Sequence, residues 1–155
     1  MADAERFLKE AIDLARGAIA AGDRPFGAVV VKDGVAIAAG VNAVSSTNDP
    51  TAHAELMAIR AASQALGTPR LDGCAVYASG QPCPMCLAAM YLAGIREGAY
   101  AYSLEDGAPH GLTSADIYAE FAKPQAERAL DLRYRPVRPE GEPDLYDQWR
   151  EATSG

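Results

Sequence analysis

His53 and Glu55 stand two residues apart in Thr51-Ala52-His53-Ala54-Glu55, and Cys83 and Cys86 stand three apart in Pro82-Cys83-Pro84-Met85-Cys86. The second spacing puts both sulfurs on one side of a helix, where residues i and i+3 are neighbours. A helix N-terminus favours negative charge, which helps keep such thiols as thiolates. Two thiolates and one imidazole make three zinc ligands, and a fourth place left to water marks a catalytic zinc rather than a structural one. Glu55 is near enough to reach that water without joining the ligands. A carboxylate there can take the water's proton and hand it to a leaving nitrogen. Zinc brings the pKa of bound water toward ~7, so hydroxide becomes available at neutral pH. Alone, H-x-E means little, and C-x-x-C is more often half of a structural zinc site or a redox pair. A structural site would need a fourth ligand, and the remaining cysteine, Cys74, falls inside an expected strand. A thioredoxin-like pair would follow the first strand, whereas this pair follows a later one.

Both motifs need a scaffold that brings two helix starts together. Phe7/Leu8, Ala11/Ile12, Leu14/Ala15 and Ala18/Ile19 form one helical stripe, with Glu5, Lys9, Asp13 and Arg16 off it and Gly22 closing it. Strands are expected over Phe26–Val31 and Val35–Val41, joined by a Lys32-Asp33-Gly34 turn. Asn42–Pro50 reads as a loop, and Thr51 or a neighbour caps a helix running to about Leu66. A strand over Cys74–Ser79, a helix from Cys83 to about Ala93 and a strand over Gly98–Tyr102 follow. Ser103–Thr113 reads as a loop, Ser114–Phe121 as a helix, Leu132–Val137 as an edge strand and Asp144–Ala152 as a terminal helix. Arg133, Arg135 and Arg138 would guard that edge against pairing. This order predicts an α/β layer fold, with helices on both faces of one sheet, in a single domain over residues 1–155.

The composition narrows the function. With 49% hydrophobic and 23% charged residues, the chain has material for a core and is not a disordered one. Its 14 basic against 21 acidic residues give a net charge of −7, which repels phosphate backbones and argues against nucleic acid as a partner. No apolar run is long enough to span a membrane, and the first fifteen residues lack the pattern of a signal peptide. Three cysteines, an odd count with two in one motif, point to a cytoplasmic chain whose thiols serve metal or chemistry.

Taken together, Pro25-Phe26-Gly27-Ala28, Asn42, Asn48-Asp49-Pro50-Thr51-Ala52-His53-Ala54-Glu55 and Pro82-Cys83-Pro84-Met85-Cys86 resemble the cytidine-deaminase-like superfamily. H-x-E followed by P-C-x-x-C is the pattern of zinc deaminases that act on bases. The resemblance covers nearly the whole chain and lies nearest the guanine deaminase, or nucleobase deaminase, branch. It implies a three-layer α/β/α sandwich with one mixed sheet, a homodimer, zinc on His53, Cys83 and Cys86, and Glu55 as the proton shuttle. It further implies that Asn42 hydrogen-bonds the base and that backbone N–H groups beside Glu55 and Cys83, Ala54 among them, steady the reacting oxygen. Phe26 could stack on a base, although a Phe entering a strand is core by default. The implied reaction is hydrolytic deamination of a free nucleobase or related amino-heterocycle, releasing ammonia.

Two stretches depart from the branch. Gly80-Gln81-Pro82-Cys83 stands where it usually reads C-E-P-C, and Gly111-Leu112-Thr113-Ser114 stands where it carries a G-F-D-D-like segment. Ser114 therefore replaces a base-contacting carboxylate. Isoguanine, cytosine, 5-azacytosine and aminotriazines join guanine as candidate substrates. Asp116 is expected to point elsewhere, Glu105-Asp106 to be a solvated turn and His110 a solvated loop residue; the alternatives are a carboxylate of Glu105-Asp106 replacing the missing one and His110 lining the pocket mouth. Tyr91, Leu92 and Cys74 are expected to pack. The rival readings are a tRNA adenosine deaminase, which needs a cationic track for the anticodon stem, and a non-catalytic zinc-binding dimerisation module, for which Glu55 has no use.

Overall fold

The computed structural model describes residues 2–155. It divides into two compact units, one running to Ala122 and the other Lys123–Gly155. In the first, α1 (Ala2–Ala20) is followed by β1 (Gly27–Lys32), β2 (Val35–Val41), a single turn α2 (Val44–Thr47) and α3 (Ala54–Leu66). Then come β3 (Cys74–Gly80), α4 (Pro84–Ala93), β4 (Glu97–Tyr102), α5 (Leu104–Gly107), a 3-10 turn (Ala108–His110) and α6 (Ala115–Ala122). The expected elements of this unit are all present, displaced by a residue or two at their ends. The two expected loops each contain short helical turns.

The sheet order is β2-β1-β3-β4. The β1/β2 and β1/β3 pairs are antiparallel and β3/β4 is parallel. Asp33 and Gly34, at φ 51° and 75°, make the tight turn between β1 and β2. Strand alternation sorts the core onto two faces. Val29, Val31 and Tyr77 pack with Phe7 and Leu14 of α1 on one face. Ala28, Val30, Val76 and Ala78 pack with Ala58, Ile59 and Ala62 of α3 and with Ala89, Met90 and Ala93 of α4 on the other. The result is the helix–sheet–helix layering that the element order predicts. Cys74 is buried at the start of β3, as expected.

Gly40 allows the close seating of α3. A Cβ there would lie 2.3 Å from the Ala54 carbonyl oxygen, so only a bare backbone lets the first turn of α3 rest on β2. Asp23 holds the loop after β2, its Oδ1 accepting from the N–H of Ser45 at 3.0 Å and of Ser46 at 2.9 Å.

The second unit holds a 3-10 turn (Gln125–Glu127) and α7 (Leu145–Thr153). Asp144 caps α7, its Oδ1 accepting from the N–H of Tyr146 and Asp147. The expected edge strand over Leu132–Val137 is not formed. The Leu132 and Val137 amides donate to the carbonyls of Leu130 and Arg135, two residues back, and Pro136 has no N–H to offer a ladder. Arg133 pairs bidentately with Asp131, so the arginine run guards no edge. Tyr91 and Leu92 also depart from expectation, at 61% and 79% exposed. Among the described residues no helix is long and apolar enough to cross a membrane.

Candidate functional site

The chain enters both α3 and α4 through an extended residue. His53 precedes α3 at φ −76°, ψ 149°, and Cys83 precedes α4 at φ −71°, ψ 168°. Their carbonyls accept the first helical bonds, from Met57 N–H at 3.0 Å and Leu87 N–H at 2.9 Å. Neither side chain caps its own helix. The cap position expected at Thr51 or a neighbour therefore falls on His53, and the Thr51 hydroxyl bonds Asp49. Pro84, with its fixed φ and missing N–H, suits the first position of α4. Cys86 lies one turn inside α4, completely buried.

These three side chains converge. His53 Nδ1 is 3.4 Å from Cys83 Sγ and 3.6 Å from Cys86 Sγ, and the sulfurs are 3.6 Å apart. A tetrahedral zinc with Zn–S of about 2.3 Å and Zn–N of about 2.0 Å has donor–donor edges of roughly 3.8 and 3.5 Å. The triangle therefore matches one face of that tetrahedron, and its soft donor set fits the same ion. Among the described residues this is the one such cluster of three metal-ligating groups. The protonation pattern is that of donors sharing too few protons. The hydrogen bond between the two sulfurs pulls the Cys83 pKa well down, and the Cys83 sulfur raises the His53 imidazole. The same contact, with burial, pushes Cys86 up.

Glu55, the second residue of α3, is 4% exposed. Burial raises its carboxyl above the usual range, while the Cys86 thiol beside it acts in the opposite direction. A cavity of about 470 Å³ opens beside the triad, and Phe26, Asn42, His53, Ala54, Glu55, Cys83 and Ser114 all contribute to its wall. The Asn42 amide is fixed by its Oδ1 accepting from Val44 N–H at 3.1 Å, which leaves its NH₂ as the free end. Phe26 both packs on the core and lines the cavity, so the core and ligand readings of this residue are compatible. Ser114 ends the loop before α6, its carbonyl accepting from the Ile117 and Tyr118 N–H groups. Its Oγ is buried with no hydrogen-bond partner among the described residues.

Of the loop residues weighed from the sequence, Asp106 and His110 line the cavity, whereas Glu105 and Asp116 do not. Asp106 is already engaged, its carboxylate accepting from the Ser103 N–H and hydroxyl at 2.9 and 3.0 Å. Sequence reasoning missed Ser79, Gln81, Arg16 and Arg24, which also line it. For Ser79 the i, i+2 alternation with Tyr77 was the available signal; for Gln81 it was position beside the cysteine motif. The cysteine turn is clamped from two sides. Gln81 N–H bonds the Tyr102 carbonyl at 2.8 Å, its Oε1 accepts from Leu104 N–H at 3.1 Å, and the Tyr118 hydroxyl donates to the Pro82 carbonyl.

Comparison with known proteins agrees with this geometry. The family profile described as the cytidine and deoxycytidylate deaminase zinc-binding region matches residues 1–102, a span that takes in His53, Glu55, Cys83 and Cys86. The chain is 50% identical over 127 residues to the guanine deaminase of Bacillus subtilis, covering 81% of each protein. It is 35% identical over 133 residues to a tRNA-specific adenosine deaminase of Aquifex aeolicus, covering 86% of this chain and 85% of the relative. The X-ray structure of the Bacillus subtilis guanine deaminase superposes with a TM-score of 0.84 at 44% identity, over 95% of this chain and 93% of that one.

Proposed function

The chain belongs to the cytidine and deoxycytidylate deaminase family, and from that premise we propose that it hydrolytically deaminates a nucleobase or related amino-heterocycle. One observation carries the reading: His53 and Cys83 of a zinc-shaped donor triad share the wall of one cavity with the buried carboxylate of Glu55. His53, Cys83 and Cys86 would hold the zinc, which would supply Lewis acidity toward oxygen at neutral pH.

Glu55 moves the protons. Its carboxylate takes one from the attacking water and delivers it to a ring nitrogen, then takes the second from the hydroxyl now on the ring carbon and delivers it to the departing amine, so that water and an amino-heterocycle become an oxo-heterocycle and ammonia. A carboxyl raised by burial is matched to a group that must both accept and release a proton near neutrality. The Ala54 and Cys83 regions stand at the N-termini of α3 and α4, where backbone N–H groups face developing negative charge. The Asn42 NH₂ donates to the ring, Phe26 offers it an aromatic face, and the Ser114 hydroxyl, unpaired among the described residues, pairs with a ring substituent. A homodimer is supported by the outer side of α4, where Leu87, Tyr91 and Leu92 are exposed, and by β4, exposed along most of its length.

The tRNA reading is weaker because a chain of net charge −7 repels a phosphate backbone. Ammonia release by zinc-loaded protein on guanine, isoguanine, cytosine, 5-azacytosine, ammeline and adenine tests the proposal. At least one is expected to turn over. Because Ser114 offers no carboxylate to the guanine edge, and an unpaired buried donor costs about 1–3 kcal/mol, guanine should not lead by tenfold. Turnover of an anticodon stem-loop RNA with none of the six bases accepted would overturn it.

A further inference from the structure

Arg16 of α1 and Arg24 of the turn before β1 line the same cavity as His53 and Glu55. Both are exposed, and neither guanidinium has an ion pair or hydrogen-bond partner among the described residues. In a chain of net charge −7, two guanidiniums on one cavity, set against the carboxylates of Glu55 and Asp106, make its lining less acidic than the chain as a whole. No carboxylate of the cavity answers them. Glu55 is buried beside the triad, and Asp106 is held by Ser103. Asp23, next to Arg24 in sequence, is occupied by the Ser45 and Ser46 amides.

The space agrees with the charge. A volume of about 470 Å³ exceeds what a bare one- or two-ring base fills, so the cavity has room for a substituent beyond the ring. We propose that its substrate is an amino-heterocycle carrying an anionic oxygen group, carboxylate or phosphate, which Arg16 and Arg24 hold while the amino-bearing ring lies against His53, Glu55 and Phe26. This rests on the deaminase reading and narrows its substrate class. A guanidinium presents a planar fork that pairs with either group through two parallel N–H···O bonds. The Ser114 hydroxyl adds a neutral donor to the wall, where a carboxylate would repel an anion. Because both arginines are exposed, each pair contributes modestly and salt screens it.

Two matched pairs of probes separate the sources of the anion: 5-carboxycytosine against cytosine, and guanosine 5′-monophosphate against guanosine. Binding is measured by calorimetry on zinc-loaded Glu55→Gln protein, which spares the ligands from turnover. In at least one pair the anionic member should bind tenfold or more tighter, with the advantage shrinking from 50 to 500 mM NaCl. In the Arg16→Gln/Arg24→Gln double variant, checked for fold by circular dichroism and for zinc content, the advantage should fall below threefold. The charge-retaining Arg16→Lys/Arg24→Lys variant should keep part of it. Equal affinity within both pairs, or an advantage that survives the glutamine double variant, would overturn the proposal; the second result would place the anion on the zinc. Ammonia release by the unmodified protein distinguishes this failure from failure of the deaminase reading. Turnover without an anion preference sinks the arginine site alone, and an arginine-dependent preference without ammonia from any ligand sinks the deaminase reading alone.

Discussion

Gly40→Ala tests how the fold places the reacting groups. A Cβ at this position would lie 2.3 Å from the Ala54 carbonyl oxygen, 2.5 Å from the Ala58 nitrogen and 2.9 Å from Met57 Cβ. Real Cβ atoms essentially never come within 3.0 Å of such neighbours, so the shortest contact falls 0.7 Å short. The obstacles are backbone atoms and a Cβ of α3, so no rotamer change relieves them. The start of α3 must lift from β2. Overpacking of this kind costs about 1–3 kcal/mol, a fall in Tm of roughly 3–10 °C for a chain this size. His53 and Glu55 ride on the segment that moves, and a displacement near 1 Å at a reacting group costs on the order of 10²-fold in rate. Thermal melting gives the first quantity, and kcat on zinc-loaded protein with the best base of the panel gives the second. The expected variant is folded, several degrees less stable and ten- to a hundredfold slower. A variant melting within 1 °C of wild type with kcat within twofold would show that β2 does not set the position of α3.

Glu55→Gln should retain about one zinc per chain and lose on the order of 10²–10⁴ in turnover, measured on a single preparation; a near wild-type rate would remove Glu55 from the mechanism. Cys83→Ala and Cys86→Ala should each lose stoichiometric zinc by metal analysis, because no spare donor lies among the described residues of the cluster. Asp23 is held below the ordinary carboxylate range, chiefly by the Ser46 amide, so its contribution to stability is present above about pH 3.8 and lost as pH falls through its lower folded value. The Tm gap between wild type and Asp23→Ala should thus be constant from pH 5 to 8 and close in stronger acid. A gap that persists unchanged at pH 2 would remove the carboxylate from the anchoring of the loop.

Periodicity carried most of the fold because its elements bury one face each. The α1 stripe of Phe7, Ala11, Ala15 and Ala18 is buried as its spacing requires, and the β1 run is buried on both faces. The C-terminal part was less legible. Leu132–Val137 alternates like a strand, but alternation reports burial on a sheet, and the amides there satisfy themselves locally. At the site, His53, Glu55, Cys83 and Cys86 were readable because metal chemistry restricts residue types at fixed spacing. Arg16 and Arg24 were not: a lone arginine off a helical stripe looks like any solvated residue until the fold sets the two on one wall. The Asn42 orientation and the unpaired Ser114 hydroxyl likewise depend on contacts that no local pattern encodes.

His53 and Cys83 occupy positions where helices ordinarily place Ser, Thr, Asp or Asn, whose side chains bond the first free amides and contribute about 1 kcal/mol each. Neither residue makes that bond. The metal-free protein thus carries two open helix starts, and its marginal stability is lower than the same scaffold could reach. His53→Asp and Cys83→Ser would each mend a cap, producing a sturdier protein without a functioning metal centre. A selection for thermal tolerance alone would drift toward those replacements, while a selection for turnover holds the less stable residues in place. Because the backbone carbonyls of residues 53 and 83 start the helices whatever side chains they bear, the scaffold is free to change its donors, and with them its chemistry, without being refolded.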